Sequence, residues 1–493
     1  MFQDTIMKKQ TIHVIFCTLI HLILFAIGPL EINCEIVLDY GKSYNSMYNE
    51  DRSQEEEFAL HRNTDLEKYI MKGDYERFKV SFNFSHMIIK ELGKEFISSP
   101  FIVCLNFEGN QIESVESGAF NNVPALEYLN MERNFISSLF SFNGHKNLKT
   151  LILARQSESI YNDISLEIIG EYPALLHLDL SVNKISSFVF PNSEWNSYYQ
   201  ISRNSTFPKL QHLDLSYNNL KEFNYDDSLL FNPNITYLNL SNNYFVDVDL
   251  RLFKNLIELR LDNNNLEAIN EYGSSRSLYT SEMPELKYFS ISNNRLRSLS
   301  QFVFMNIPKL VTLNLSNNEL ENIPSDVFHN LKSLENLYLN NNQLFTIYSV
   351  SYISSLSILS VAHNQIREID PEILNTHALK KLYLNHNIIE NIHENTFSKL
   401  ESLEELYLNN NNLATLPTGW DNNLRNLRYL NLSDNKFMFL ESLSLSKSLP
   451  VIKIDLINNI LIHMKVELLR NLPENATIYL NSQLENRELF YKN

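Results

Sequence analysis

Apolar residues recur along most of the chain in one frame, L-x-x-L-x-L-x-x-N-x-L. The stretch "LENLYLNNNQL" puts Leu334, Leu337, Leu339, Asn342 and Leu344 on its fixed positions. Downstream copies are "LSILSVAHNQI", "LKKLYLNHNII", "LEELYLNNNNL", "LRYLNLSDNKF" and a degenerate "VIKIDLINNIL". Upstream copies run from "LVTLNLSNNEL" back through "LIELRLDNNNL" and "LQHLDLSYNNL" to "IVCLNFEGNQI". Their asparagine slots lie 21 to 35 residues apart, most often 24, and fifteen copies in register identify a repeat architecture. Leu337 and Leu339 alternate with Tyr338, which is the period of a strand, so the leucines face inward and Tyr338 outward. So short a run cannot fold alone. Stacked copies build a parallel sheet with a continuous apolar inner face, at roughly 1.5–3 kcal/mol for each buried leucine.

After each strand the chain must turn, which leaves backbone amides and carbonyls facing the interior in need of partners. An asparagine side chain offers both a donor and an acceptor, so one per repeat can serve its own turn and its neighbour's. The slot holds Asn110, Asn134, Asn183, Asn218, Asn243, Asn264, Asn294, Asn318, Asn342, Asn364, Asn387, Asn411, Asn435 and Asn459, with Gln156 in a poorer copy. Of the three asparagines in "LENLYLNNNQL", Asn342 takes the slot, while Asn340 and Asn341 are expected to be exposed strand-end residues. The chain has only ten glycines, so asparagine is also expected to supply less usual turn conformations.

Over residues ~100 to ~465 the repeats resemble the leucine-rich repeat family. They are similar to the typical subclass of extracellular proteins such as Toll-like receptor ectodomains and chaoptin-like adhesion proteins. The resemblance implies an α/β repeat solenoid: a curved horseshoe with a parallel sheet on its concave face and short helical or irregular convex segments. It also implies that the slot asparagines form a buried ladder, and that Phe120, Phe304, Phe328 and Phe397 stack as a convex spine. The cysteine-rich caps usual in extracellular members are absent. The expected organisation is a signal peptide at 1–34, an acidic leader at 35–66, and an N-terminal cap with a degenerate repeat at 67–99. About fifteen repeats follow at 100–470, then a C-terminal cap and tail at 471–493. A hairpin at Lys72-Gly73-Asp74 is expected to cover the first sheet edge, and "NATIYLNSQL" to supply a last strand. The long connections around "SSFVFPNSEWNSYYQISRNSTFPK" and "NEYGSSRSLYTSEMP" read as surface loops.

Composition narrows the function. The net charge is −17, which argues against a nucleic-acid partner. Lys8 and Lys9 precede an apolar run from Val14 to Ile27, the pattern of a secretory signal cleaved before Glu35. The polar C-terminus holds no membrane span or lipid-anchor signal, so a secreted, extracellular location is expected. The cysteines are Cys17, Cys34 and Cys104. If Cys34 leaves with the signal, Cys104 is an odd thiol, a candidate for an intermolecular disulfide in a dimer or hetero-complex; an inert half-buried thiol is the alternative.

Candidate chemistry is sparse. No nucleophile, phosphate-loop or metal-ligand motif appears, so an enzyme, a cofactor and a metal site are not expected. Sequons fall at Asn83, Asn204, Asn234, Asn239, Asn314, Asn431 and Asn475. Asn239, Asn314 and Asn431 sit between the two strand leucines of their repeats, so glycans there would project from the concave face. The four repeats between Asn314 and Asn431 lack sequons and carry Tyr338, Ser360, Tyr383 and Tyr407 in the same outward column, with His363 and His386 at the strand ends. Tyrosine is enriched at binding hot spots, which makes this window a candidate protein-contact patch, although tyrosine also simply suits strands. Lys380 and Lys381 are expected to offset Glu404 and Glu405. The chain therefore reads as a secreted protein that binds a protein ligand through its concave face, most simply in innate-immune or receptor-like recognition. A structural or adhesion role and a soluble decoy receptor remain the other readings.

Overall fold

The structure, a computed structural model, describes residues 79–94, 96–156, 163–189, 206–269, 277–280, 282–347, 350, 353–369, 371, 374–462 and 472–480. The expected signal, the acidic leader, the Lys72-Gly73-Asp74 hairpin and Asn204 lie outside them. Each inward leucine pair makes a short strand, and the strands stack into one parallel sheet of seventeen. In chain order they are β1 (Val80–Asn83), β2 (Ile102–Asn106), β3 (Tyr128–Asn130), β4 (Thr150–Ile152), β5 (His177–Asp179), β6 (His212–Asp214), β7 (Tyr237–Asn239), β8 (Glu258–Arg260) and β9 (Tyr288–Ser290). Then follow β10 (Thr312–Asn314), β11 (Asn336–Tyr338), β12 (Ile358–Ser360), β13 (Lys381–Tyr383), β14 (Glu405–Tyr407), β15 (Tyr429–Asn431), β16 (Lys453–Asp455) and β17 (Thr477–Tyr479). Every strand pairs with its successor, and the central residues form one row: Leu213 faces Leu238, Leu313 faces Leu337, and Leu382 faces Leu406. The one irregularity in this sheet is at its start, between Val80 and Ser81.

One apolar core runs the length of the stack. The strand leucines are fully buried, as are the flanking Leu320, Leu344 and Ile366. Phe120, Phe304, Phe328 and Phe397 are also buried. Phe304 and Phe328 stack at 5.9 Å, Phe120 meets Phe142 edge-on at 5.4 Å, and Phe397 meets Trp420 at 5.8 Å. Convex segments are mainly turns and two-residue strands. The only α-helix among the described residues is α1 (Tyr225–Leu229), capped by a reciprocal Asn224–Asp227 box.

The turns explain the asparagines. Asn342 is buried and its Nδ2 donates to Leu339 O (3.1 Å) and, one repeat back, to Leu315 O (3.0 Å). Its Oδ1 accepts from Leu320 N (3.1 Å) of that previous repeat. The same three-way arrangement recurs from Asn110 to Asn459. Gln156 reaches the equivalent partners, Met131 O, Leu153 O and Ile136 N, with its longer side chain. The residue just before the slot is left-handed in repeat after repeat, including Asn341 (φ 53°), His363 (φ 54°) and His386 (φ 54°). Asn340 differs from the expectation of a free surface residue. It is half-buried, and its Oδ1 accepts from Ser360 Oγ and from Ala362 N (3.1 Å) of the next repeat.

The second long connection is likewise not all loop. Its Ser277–Tyr279 segment pairs with Asp247–Asp249 and with Ala268–Ile269, and Leu278 is fully buried between Val248 and Ile269. The first connection begins as the strand Ile185–Val189, paired with Ile164–Glu167, and Phe188 packs on Phe223 and Phe231.

Candidate functional site

Each strand turns its first and third residues away from the core, so the outer sheet face consists of two columns. In the third-residue column the order is Asn314, Tyr338, Ser360, Tyr383, Tyr407, Asn431. Tyr383 and Tyr407 are in register, and their rings stack at 4.5 Å and 14°. Tyr338 stands two strands away, beyond the small Ser360. Tyr407 donates its hydroxyl to Glu405 Oε2 (3.0 Å), and Glu405 also meets Lys381 Nζ at 3.1 Å. Burial and the Glu405 carboxylate push the Tyr407 hydroxyl pKa upward; burial does the same to Tyr338. Both phenols therefore stay protonated as hydrogen-bond donors at neutral pH.

His363 and His386 lie at the left-handed turns that end β12 and β13, with rings stacked at 4.0 Å. Partial burial and the neighbouring His386 lower the His363 pKa, and the stacked ring pair borders the tyrosines. His386 Nε2 is 3.3 Å from Asn410 Nδ2. The patch does not end at Asn431. In the first-residue column Tyr429 meets Tyr407 at 5.1 Å, and Lys453 Nζ lies over the rings of both Tyr429 (5.3 Å) and Tyr479 (4.8 Å). This continuation combines the two columns: Tyr429 and Lys453 are first residues of their strands, and Tyr479 is a third.

The first-residue column carries a second strip. His177, His212 and Tyr237 are consecutive in the first-residue column, with ring centroids 4.0 and 3.8 Å apart. Beside them stand Asp179, Asp214 and Asn239. Asp214 Oδ1 accepts from Ser216 N (2.8 Å) and Oδ2 from Asn239 Nδ2 (3.0 Å). Burial and the nearby Asp179 push the Asp214 carboxyl up to about 6. Burial and His177 hold His212 down to about 3.

Of the described sequons, Asn83, Asn234 and Asn475 are exposed, whereas Asn239, Asn314 and Asn431 are half-buried strand residues. The Oδ1 atoms of Asn239, Asn314 and Asn431 accept from the backbone N of Ser241, Ser316 and Ser433, which closes the strand end. Cys104 is half-buried between Ser81 and Tyr128 on the neighbouring strands. No disulfide bridge to a partner is supported. Among the described residues no group of three or more His, Cys, Asp or Glu is arranged to hold a metal, and no helix is long and apolar enough to cross a membrane. A flank cleft of about 110 Å³ lined by Glu222, Tyr225, Asp247 and Tyr279 falls below the ~300 Å³ of ordinary ligand pockets.

Known proteins share this architecture. A family description, "Leucine rich repeat", matches residues 104–156, 284–344 and 354–413, and a second one, "Leucine Rich Repeat", matches 209–229, 234–256 and 426–448. Osteomodulin of Bos taurus is 26% identical over 206 residues, which is 40% of this chain and 42% of its own. The match therefore spans less than half of that relative's length. A leucine-rich-repeat protein of Leptospira interrogans superposes with a TM-score of 0.59 at 22% identity, over 82% of this chain and 96% of the other. The Drosophila Toll–Spatzle complex gives a TM-score of 0.58 at 21% identity, over 82% of this chain and 56% of the other.

Proposed function

Because this chain is a leucine-rich-repeat protein, we propose that it binds another protein through the outer face of its parallel sheet and works outside the cell as a recognition module. The observation that carries this reading is the Tyr383–Tyr407 stack, with Tyr338 beside it, in a stretch free of sequons between Asn314 and Asn431. Tyrosines concentrate binding energy because they bring large rigid contact area and a polar tip at small entropic cost. Here the sheet fixes them: the strand register sets their spacing, and Glu405 orients Tyr407. A pre-organised surface loses little freedom on binding. The Toll–Spatzle similarity adds that the same fold serves a protein complex in Drosophila development and innate immunity. The apolar N-terminal run and the osteomodulin similarity support the extracellular setting.

The test is comparative affinity capture from extracellular fluid. The full chain is used as bait beside a variant carrying Tyr338→Ala, Tyr383→Ala and Tyr407→Ala. A protein retained by the parent and weakened about a hundredfold or more by the triple change supports the reading. Equal retention by both baits refutes it.

A further inference from the structure

The His177–His212–Tyr237 strip lies apart from the tyrosine window, with β8–β10 between them, and the reading above leaves it without a role. Two outward carboxylates of the sheet face form direct ion pairs: Glu258 meets Arg260 at 2.6 Å and Glu405 meets Lys381 at 3.1 Å. Asp179 and Asp214 are in register on adjacent strands, about 4.8 Å apart at the backbone. Neither has a Lys or Arg within ion-pair distance among the described residues. Arg155, the cation felt by Asp179, is held by Glu132 at 3.3 Å. Two half-buried, mutually repelling carboxylates are thus held in place by backbone amides and by Asn239, without a direct ion pair to a Lys or Arg among the described residues. The ring stack beside them forms a flat wall along which an aliphatic stem can lie.

We propose that this strip docks a basic segment of a partner protein, with a lysine or arginine side chain seated against Asp179 and Asp214 and its stem along the His177–His212–Tyr237 wall. Charge complementarity selects this occupant: a cation supplies the direct ion pair that Asp179 and Asp214 lack, and the −17 net charge of the chain steers basic partners toward it. The proposal is independent of the tyrosine window. It also fixes a pH response. The groups facing the pair are Glu132 and Arg155 on one side, Glu258, Arg260 and Tyr237 on the other, and the two histidines alongside. Asp214 loses its charge as pH falls through about 6, while His212, held down to about 3, adds no countercharge in that range. Docking therefore weakens in mild acid. The strip also has to be free of sugar, so the Asn239 sequon beside it must be bare.

The experiment measures anisotropy of a fluorescein-labelled oligolysine peptide titrated with the full chain. Its variants are the double change Asp179→Asn, Asp214→Asn and a charge-matched control, Glu113→Gln, Glu390→Gln, on exposed flanks. The expected result is about tenfold or greater weakening in the strip variant, little change in the control or in the triple tyrosine variant, and a parent affinity that falls between about pH 7.5 and 5. Circular dichroism verifies that the strip variant is folded; if it is not, Asp214→Asn alone gives the same comparison. Equal weakening in the control means a diffuse field rather than a site, and overturns the proposal. So does no weakening in the strip variant, a calcium-dependent melting shift without peptide binding, or a glycan on Asn239 in the peptide map.

Discussion

Three consecutive asparagines show how one residue type does separate work. Asn342 spans two repeats, Asn341 accepts a left-handed backbone, and Asn340 ties its strand end to Ser360 and Ala362. Replacing Asn342 by Leu strips two carbonyls and one amide of their buried partner. The expected loss is about 1–3 kcal/mol, read as a lower denaturation midpoint. Asn341→Ile places a β-branched side chain at φ 53° and should cost about 1–2 kcal/mol, whereas Asn341→Gly should be close to neutral. Asp214 makes a pH-dependent prediction. Its folded carboxyl titrates near 6, above the 3.8 of an unperturbed aspartate. The folded state therefore bears a penalty above about pH 6, which fades as pH falls toward 4. Asp214→Asn should raise stability at alkaline pH by about 1–3 kcal/mol, and the gain should vanish near pH 4. His212 acts in the opposite sense. Its folded pKa near 3 against 6.5 means stability is lost as pH falls from 6.5 toward 3, so His212→Phe should blunt that loss. The role of Asn342 was legible in sequence because its position repeats. The contacts of Asn340 were not, because they depend on what the next repeat places opposite it.

Among elements, the strands and their register follow directly from leucine spacing, and the last strand was legible at Thr477–Tyr479. The flank strand at Ser277–Tyr279 was not, since the single Leu278 within a Ser-rich insertion gives no periodicity. Among the described residues the convex segments are the short helical and irregular pieces that the family pattern implied, mostly turns and two-residue strands. Gly170 marks one tight junction. It adopts φ +92°, and a Cβ there would lie 2.3 Å from the Asn143 carbonyl carbon. Gly170→Ala should cost about 2 kcal/mol or more, whereas Gly93→Ala, where the nearest atom would be 3.7 Å away, should be neutral or slightly stabilising. Thermal melts of the two variants make the comparison.

In the whole molecule, stacking converts a local motif into a long, rigid face on which side chains from distant segments become neighbours. Tyr338, Tyr383 and Tyr407 could be aligned from sequence because they share one column. Tyr429 and Lys453, and the His177–His212–Tyr237 strip, were not legible that way because they stand in the other column, at the first residue of each strand. The central claim is that the window between Asn314 and Asn431 contacts a protein partner. A sugar placed inside it tests that most directly. Ser360→Asn with Ala362→Thr creates a sequon between Tyr338 and Tyr383, at the strand position that Asn314 and Asn431 occupy in their own repeats. His393→Thr creates a control sequon at exposed Asn391 on the flank strand. The measurement is partner affinity of both secreted glycoforms, with occupancy verified by mass. Loss of binding in the first and full binding in the second is the predicted result; full binding with the window glycan in place would contradict it.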